Sequence, residues 1–189
     1  MRARIRAEAG FSLLEVLISV LVVALGMLAM AGMQLKSIRD SHDAYMRSLA
    51  SELAVEAAER VRAATGDQVY ALNTASNQMD LNGALGCYAS GVATSDCTAN
   101  SSATQTMATT DTSYFSSSAN SLLGSGSVQV LLKKTDGSSA ATLSACSYSL
   151  AGASGTGTAC QVSVSVSWQE KAASGTTPMQ TQTFEYRFR

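Results

Sequence analysis

The sequence predicts an α+β fold in which one long N-terminal helix packs on a small antiparallel β-sheet. An apolar run over 11–33 is followed over 34–65 by apolar residues spaced three and four apart, which is the period of a helix. The C-terminal third instead alternates apolar and polar residues, which is the period of a strand. Packing the helix stripe on one face of the sheet would bury both apolar surfaces.

The apolar run 11–33 is long enough to cross a membrane, and Glu15 is its single ionisable side chain. As a helix rising about 1.5 Å per residue, the run spans roughly 35 Å, against a hydrocarbon core of about 30 Å. Arg2, Arg4 and Arg6 precede it. Because basic flanks stay in the cytoplasm, we expect a single pass through the inner membrane with the C-terminal domain in the periplasm. The four cysteines agree, since disulfides persist in that compartment.

Three interpretations of this N-terminal segment compete. A cleaved secretory signal would have a shorter apolar region, of about 7–15 residues, before a small-residue cleavage site, and the Ala-Met-Ala sequence at 29–31 could imitate such a site. An uncleaved signal anchor explains the length of the run but not the charge of Glu15. In the third interpretation the chain is cut between Gly10 and Phe11, and the apolar segment stays in the mature protein.

The third interpretation rests on a resemblance. The segment Gly10-Phe11-Ser12-Leu13-Leu14-Glu15-Val16-Leu17 resembles the class III signal of type IV pilins and pseudopilins. In that family an inner-membrane prepilin peptidase cuts after the glycine and methylates the new N-terminal residue. The resemblance therefore implies that 1–10 is a cytoplasmic leader, that Phe11 becomes N-methylated, and that the fold is pilin-like.

Glu15 gains a physical role from this cleavage. A charge in hydrocarbon costs roughly 2.5–3.5 kcal/mol on insertion scales, so the carboxylate needs a partner. After cleavage Phe11 carries an α-amine that is cationic near neutral pH. Glu15 can meet the amine of a neighbouring subunit, or its own amine one helical turn away, near the positive end of the helix dipole. Because the intermolecular pair would fix the stagger of adjacent helices, we hypothesise that Glu15 is the subunit-register carboxylate.

The mature chain divides into three predicted parts. Residues 11–33 form the transmembrane or filament-core helix, 34–65 its amphipathic half, and 66–189 a periplasmic globular domain, with Gly66 just past the helix end. Within the domain, 94–127 contains 17 Ser or Thr in 34 residues, a composition that predicts surface loop for much of the segment. Within it, Tyr114, Phe115, Leu122 and Leu123 could form a short helix or a clamp over the core. The stripe of the amphipathic half consists of Leu35, Ile38, His42, Tyr45, Leu49, Leu53, Ala57 and Val61.

The C-terminal strands are predicted between 127 and 188 from their alternation. The clearest sets Val162, Val164, Val166 and Trp168 on one face. A three- or four-stranded antiparallel sheet would result. Its strands would be Ser127 to Leu132, Ala145 to Leu150 (the weaker candidate), Cys160 to Trp168 and Thr181 to Phe188.

Four cysteines allow three pairings. We expect Cys87–Cys97 and Cys146–Cys160, because each closes a short local loop, and a loop of about 15 residues contributes roughly 3 kcal/mol in the chain-entropy model. A metal site is not expected, because the sequence has no C-x-x-C and its sole histidine, His42, lies on the long helix. We expect no cofactor.

Composition and motif content speak against two other function classes. A hydrolase triad would need His42, which should lie along the helix near the membrane, so we do not expect an enzyme. Removing the leader removes three arginines and one glutamate, which leaves 10 basic and 13 acidic side chains. Since no basic run remains outside the membrane, nucleic-acid binding is not predicted either.

Within the pilin class, four segments resemble the PilV-type minor pilins, also called type IV pilus modification proteins. The resemblance implies a subunit that primes type IV pilus assembly, sits at the pilus tip, and supports adhesion and twitching motility. It also implies the prepilin peptidase, other minor pilins, the major pilin and a tip adhesin as partners, and an extracellular pilus as the final location. The segments are Leu25-Gly26-Met27-Leu28, Gly32-Met33-Gln34, Asn120 to Val128 and Cys160 to Trp168.

Three alternatives stay open. The chain could be a type II secretion pseudopilin, which shares the role of Glu15 but builds a periplasmic piston. It could be a major pilin with a far higher copy number. Outside the filament class, it could be a membrane-anchored periplasmic binding domain.

Overall fold

The computed structural model describes residues 12–66, 68–75, 78–149, 158–170 and 180–188. The predicted leader 1–10 and its cleavage point lie outside these ranges. The chain divides into two compact units at the boundary between Ala44 and Tyr45. The helices are α1 (Leu13–Thr65), α2 (Leu85–Tyr88), α3 (Thr94–Thr98) and α4 (Ser102–Leu123), with a 3₁₀ turn at Leu143–Cys146; the strands are β1 (Tyr70–Asn73), β2 (Gln78–Leu81), β3 (Ser127–Lys134), β4 (Tyr148–Ser149), β5 (Cys160–Glu170) and β6 (Gln180–Phe188).

The predicted α+β arrangement is confirmed, with one long N-terminal helix followed by small antiparallel sheets. Helix α1 is continuous over 53 residues. Its most apolar 18-residue window has a mean hydropathy of 2.6 and none of it is buried. In the described part of the chain, α1 alone is long and apolar enough to cross a membrane, judged by length and composition.

Helix α1 ends where the sequence predicts. Gly66 follows its last residue with φ of +62°, a left-handed conformation that glycine adopts without strain. The amide of Asn82 donates to the carbonyl oxygens of Thr65 (3.0 Å) and Gln68 (3.2 Å). One side chain thus donates hydrogen bonds both to the carbonyl of the last helical residue and to a carbonyl of the segment that follows the helix.

The amphipathic stripe of α1 is only half right. The prediction holds for its C-terminal part, where Leu53, Ala57 and Val61 are at most 4 % exposed. Leu35 and Ile38, by contrast, are 60 % and 67 % exposed. The buried face begins near Met46, and alanines on this face allow close packing. These core residues are Ala50, Leu53, Ala54, Ala57, Ala58 and Val61.

The larger sheet has the strand order β3-β5-β6, and both of its pairings are antiparallel. The predicted inward face of β5 is confirmed, since Val162, Val164 and Val166 are fully buried and Trp168 nearly so. Strand β6 places Phe184, Tyr186 and Phe188 on its more buried face, also as predicted. The side chains of this face belong to the same core cluster as the C-terminal part of α1.

A second, smaller sheet was not predicted. It has the order β1-β2-β4, with Tyr70 opposite Leu81 and Met79 opposite Tyr148. The strand predicted over Ala145 to Leu150 is wrong in its first part, where a 3₁₀ turn runs to Cys146, and β4 is only two residues long. Strands of two to four residues are too short for alternation to mark them.

The surface loop predicted for much of 94–127 is wrong, and the short helix left open around Tyr114 and Leu123 is part of a longer one. The structure forms the short helix α3 and the 22-residue helix α4 there. Helix α4 buries a regular stripe at spacings of three and four, which is enough to hold it on the core. The stripe is Ala108, Asp111, Phe115, Ala119 and Leu123.

Local hydrogen bonds accommodate the many hydroxyl groups of this helix. The side chain of Ser101 caps the start of α4 by accepting from the backbone N–H of Thr104 at 3.3 Å. Along the helix, Ser and Thr hydroxyls donate to backbone carbonyls three or four residues earlier. Their hydrogen-bonding capacity is therefore used within the helix. Examples are Thr106 to Ser102, Thr110 to Thr106 and Thr112 to Ala108, at 2.8–2.9 Å.

Candidate functional site

Glu15 lies in the first turn of α1. The carbonyl of Ser12 accepts from the backbone N–H of Glu15 at 2.9 Å and of Val16 at 3.3 Å, so Ser12 opens the helix. The Glu15 side chain is exposed, and none of the described cationic side chains forms an ion pair with it. Its apolar neighbours Leu14 and Leu17 are 68 % and 63 % exposed. A lone carboxylate therefore sits at the start of an uncovered apolar helix.

The helix dipole favours the Glu15 carboxylate but does not offset the cost of placing its charge in hydrocarbon. The N-terminal end of a helix carries about half a positive charge, which stabilises a nearby carboxylate by roughly 0.3–1 kcal/mol at an exposed position. That is smaller than the roughly 2.5–3.5 kcal/mol cost of a charge in hydrocarbon. A cation from outside the described chain is thus needed in a membrane. Gly10 and Phe11, predicted to supply that cation by cleavage, lie outside the described residues.

A second polar cluster, which the sequence did not reveal, joins three helices. Asp111 of α4 accepts from Arg60 of α1 at 2.9 Å and from the hydroxyl of Tyr88 of α2 at 2.7 Å. Arg60 also donates to Glu56 at 2.9 Å, and its guanidinium lies 4.4 Å from the ring centre of Tyr114. We call these residues the Asp111 cluster.

The buried carboxylate of Asp111 has a hydrogen-bond donor for each of its two oxygens. Burial, followed by the hydrogen bond to Asp111, raises the pKa of Tyr88 far above its ordinary value. The hydrogen bond that Arg60 donates to Asp111 is the main cause that raises the pKa of Arg60, so the guanidinium stays charged. One sequence signal existed: Asp111 is an acid inside the apolar spacing of α4. The cluster fixes how α2 and α4 contact the C-terminal part of α1.

We predict that Tyr88→Phe lowers the free energy of unfolding by about 1.5–3 kcal/mol at pH 7, since a hydrogen bond to a charged group is lost. The pKa of Tyr88 is higher in the folded than in the unfolded protein. The Tyr88 hydroxyl therefore contributes its full stabilisation below the unfolded pKa of about 10, and this stabilisation is lost as the pH rises from there through the folded pKa. The variant should therefore lose less stability than the parent between neutral and strongly alkaline pH. Urea unfolding of the detergent-solubilised protein measures both effects.

The matched control is Tyr114→Phe, which also removes one hydroxyl. The ring of Tyr114 stays over Arg60, and its side chain is 43 % exposed. Its replacement should change stability by less than about 0.5 kcal/mol. Equal losses for the two variants would mean that the Tyr88 hydroxyl has no special role.

The structure joins the cysteines in the two pairs expected from their short loops. Cys87 is bonded to Cys97, with Cα atoms 4.4 Å apart, and links α2 to α3. Cys146 is bonded to Cys160, with Cα atoms 5.1 Å apart, and links the 3₁₀ turn beside the small sheet to the first residue of β5. The second pair is buried in the core, whereas Cys87 lies partly at the surface.

His42 lies on the exposed side of α1, with Nδ1 3.9 Å from a carboxylate oxygen of Asp43. Within the described ranges, no three side chains of His, Cys, Asp or Glu come together as a metal site would require.

One comparison with known proteins gives a match. The prokaryotic N-terminal methylation motif matches residues 5–31, a range that includes Gly10, Phe11 and Glu15. No curated protein and no solved structure matches the chain. The motif together with the α+β arrangement supports a type IV pilin-like or pseudopilin protein. It implies processing by a prepilin peptidase and assembly with other pilins, and the apolar helix is consistent with a membrane anchor.

Proposed function

We propose that the protein is a minor pilin of the PilV type, which primes type IV pilus assembly and sits at the pilus tip. The observation that carries the proposal is the placement of Glu15. It lies inside the matched motif, in the first turn of a helix whose apolar window is wholly uncovered. In a membrane, association with a processed neighbour would give such a helix a cationic partner for its acid.

Two local features support the minor-pilin assignment over other filament subunits. Asn120 to Val128, which resembles the PilV-type sequence, runs from the last turns of α4 through Gly124, whose φ is +54°, into β3. Cys160 to Trp168, the second resembling segment, forms most of β5 and begins with a disulfide. A helix, glycine turn and strand, followed by a cysteine-led strand, is the arrangement that the resemblance implies.

We further propose a structural role and not a catalytic one. The sole histidine is 66 % exposed at its side chain and lies on α1. The Asp111 cluster has its donors and acceptors matched to one another, which favours holding helices together over proton transfer. In this role the protein would support adhesion and twitching motility through the pilus.

Quantitative proteomics of sheared surface filaments tests the proposal. We expect the mature chain in the filament fraction at a small fraction of the main subunit, and fewer surface pili in cells that lack it. A chain confined to the membrane and periplasm of secreting cells would instead indicate a type II secretion pseudopilin. A copy number equal to that of the main subunit would indicate a major pilin.

A further inference from the structure

A cleft of about 350 Å³ lies between α4 and β3, apart from the Glu15 site. Five of the residues that line it carry a hydroxyl group and three are apolar. None of the eight described residues that line it is charged. The hydroxyls belong to Tyr88, Ser90, Thr112, Ser113 and Ser116, and the apolar residues are Phe115, Val128 and Val130.

The cleft is bounded at both ends along β3. At one end the backbone N–H of Ser90 donates to the carbonyl of Val130 at 2.7 Å, so the chain after α2 pairs with the strand. At the other end Gly126 packs on α4 so closely that a Cβ there would lie 2.8 Å from the carbonyl oxygen of Ala119. A stretch of about four residues, or roughly 13 Å of strand, separates these contacts.

The wall formed by β3 presents backbone groups as well. In an antiparallel pair, alternate residues direct their N–H and C=O groups away from the partner strand. On β3 these groups are engaged at Val130 by Ser90, and at Leu132 by Ala140 at 2.8 Å. Val128 is the next residue of the same parity, and it lines the cleft. The geometry therefore places a backbone donor and acceptor beside the hydroxyl groups.

We propose that this cleft binds a neutral, hydroxyl-rich ligand the size of one sugar ring, as at the end of a surface glycan. Its volume is near the lower end of the usual range for ligand sites, about 300–1,000 Å³, which suits a single ring. The hydroxyls of Tyr88, Thr112 and Ser116 already donate within the fold, so they offer a ligand only acceptor oxygens. Those of Ser90 and Ser113 can both donate and accept, as a ring with several adjacent hydroxyls requires. The inference goes beyond the proposed filament role and does not depend on it.

Two other ligand classes fit less well. An anionic sugar or a phosphate would need a cation, and none lines the cleft; Arg60, the cation of the nearby cluster, is already bonded to Asp111 and Glu56. A long extended peptide would have to continue past both ends, where Ser90 and Gly126 already contact the neighbouring elements. Both classes become outcomes of the test.

The test is binding of methyl glycosides to the purified full-length chain, measured by saturation-transfer NMR and calorimetry. The detergent should be lauryldimethylamine oxide, because its head group is not a sugar. The panel holds the methyl glycosides of glucose, galactose, mannose and N-acetylglucosamine, with glucuronic acid, glucose 6-phosphate and an acetylated Ser-Gly-Ser-Gly amide as comparisons. For so small a ligand we expect a Kd of about 1 mM for at least one neutral sugar.

Variants of α4 assign the binding to the cleft. Ser113→Leu fills the cleft from an exposed helix position where leucine is well tolerated, and should weaken binding at least about tenfold. Ser113→Ala removes only the hydroxyl and should weaken binding about threefold. The control, Ser117→Leu, lies on the same helix outside the cleft and should keep affinity within about twofold. Thermal unfolding checks that all three variants are folded.

Saturable binding of a neutral sugar with this order of variants supports the inference. It is overturned if no neutral sugar of the panel saturates, if Ser113→Leu and Ser117→Leu bind equally, or if a charged sugar or the peptide binds more tightly than every neutral sugar.

Discussion

Replacing Glu15 with alanine is expected to leave cleavage after Gly10 unchanged and to reduce incorporation into filaments by at least about tenfold. The variant inserts into the membrane more easily, because a charge costing roughly 2.5–3.5 kcal/mol is removed. It assembles poorly, because the α-ammonium of a neighbouring Phe11 loses its partner. Breaking a buried ion pair by removing one member typically costs about 3–5 kcal/mol. Immunoblots of membrane and sheared-filament fractions measure both quantities.

Two further variants separate charge from packing. Glu15→Gln keeps the shape of the side chain and removes its charge, so it should behave like Glu15→Ala. Ser19→Ala lies one turn along the same face of α1, where the hydroxyl donates to the carbonyl of Val16 at 2.8 Å, and should incorporate normally. Normal incorporation of Glu15→Ala, or an equal defect in Ser19→Ala, would show that the carboxylate does not set the subunit register.

Removing the Cys146–Cys160 disulfide is expected to have the largest effect on the stability of the domain. The double variant Cys146→Ala and Cys160→Ala should lower the free energy of unfolding by about 3–5 kcal/mol. Loop closure accounts for roughly 3 kcal/mol of this. The rest comes from packing, because the two residues are 0 % and 3 % exposed in the core. Domains typically have a free energy of unfolding of about 5–15 kcal/mol, so the variant should be only marginally stable at 37 °C. Urea unfolding under oxidising conditions measures the change.

The second disulfide provides the internal comparison. Cys87 and Cys97 are 10 residues apart and link the short helices α2 and α3, so their double alanine variant should lose about 3 kcal/mol or less. The Cys146–Cys160 bond also anchors the start of β5. There the hydroxyl of Tyr70 accepts from the backbone N–H of Cys160 at 2.7 Å and donates to its carbonyl at 2.8 Å. A larger loss for the Cys87–Cys97 variant would contradict the view that the bond beside β5 is the main covalent support of the core.

The parts of the fold that could be predicted are those with long, regular patterns. Helix α1 has an uninterrupted apolar run and ends at a glycine, and β5 alternates over nine residues from Cys160 to Trp168. The pairing of β3 and β6 with β5 could be predicted because each strand has one apolar face, and pairing them buries these faces together. The exposure of Leu35 and Ile38 could not be predicted, because an apolar stripe does not say how far along the helix the domain extends.

The composition of its segment argues against helix α4, whereas its periodicity favours the helix. Serine and threonine favour turns on average, but here their hydroxyls bond within the helix. The spacing of Ala108, Asp111, Phe115, Ala119 and Leu123 was present in the sequence, but it contains two alanines and an acid, so it is weakly apolar. The short strands of the small sheet give no pattern at all and form through tertiary contacts.

The candidate site divides in the same way. Glu15 could be identified from sequence because a single acid in a membrane-length run is unusual in itself. The Asp111 cluster could not, since Tyr88, Arg60 and Asp111 come from three helices whose contact depends on the folded domain. Its donors and acceptors become visible only once those helices are packed.

Mass spectrometry of the mature N-terminus tests most directly whether Glu15 is compensated by a newly exposed amine. Protein purified from the cell envelope should begin at Phe11, with its α-amine methylated and residues 1–10 absent. A chain that still begins at Met1, or one that begins after Ala31, would lack that amine beside Glu15 and would contradict the assignment as a filament subunit.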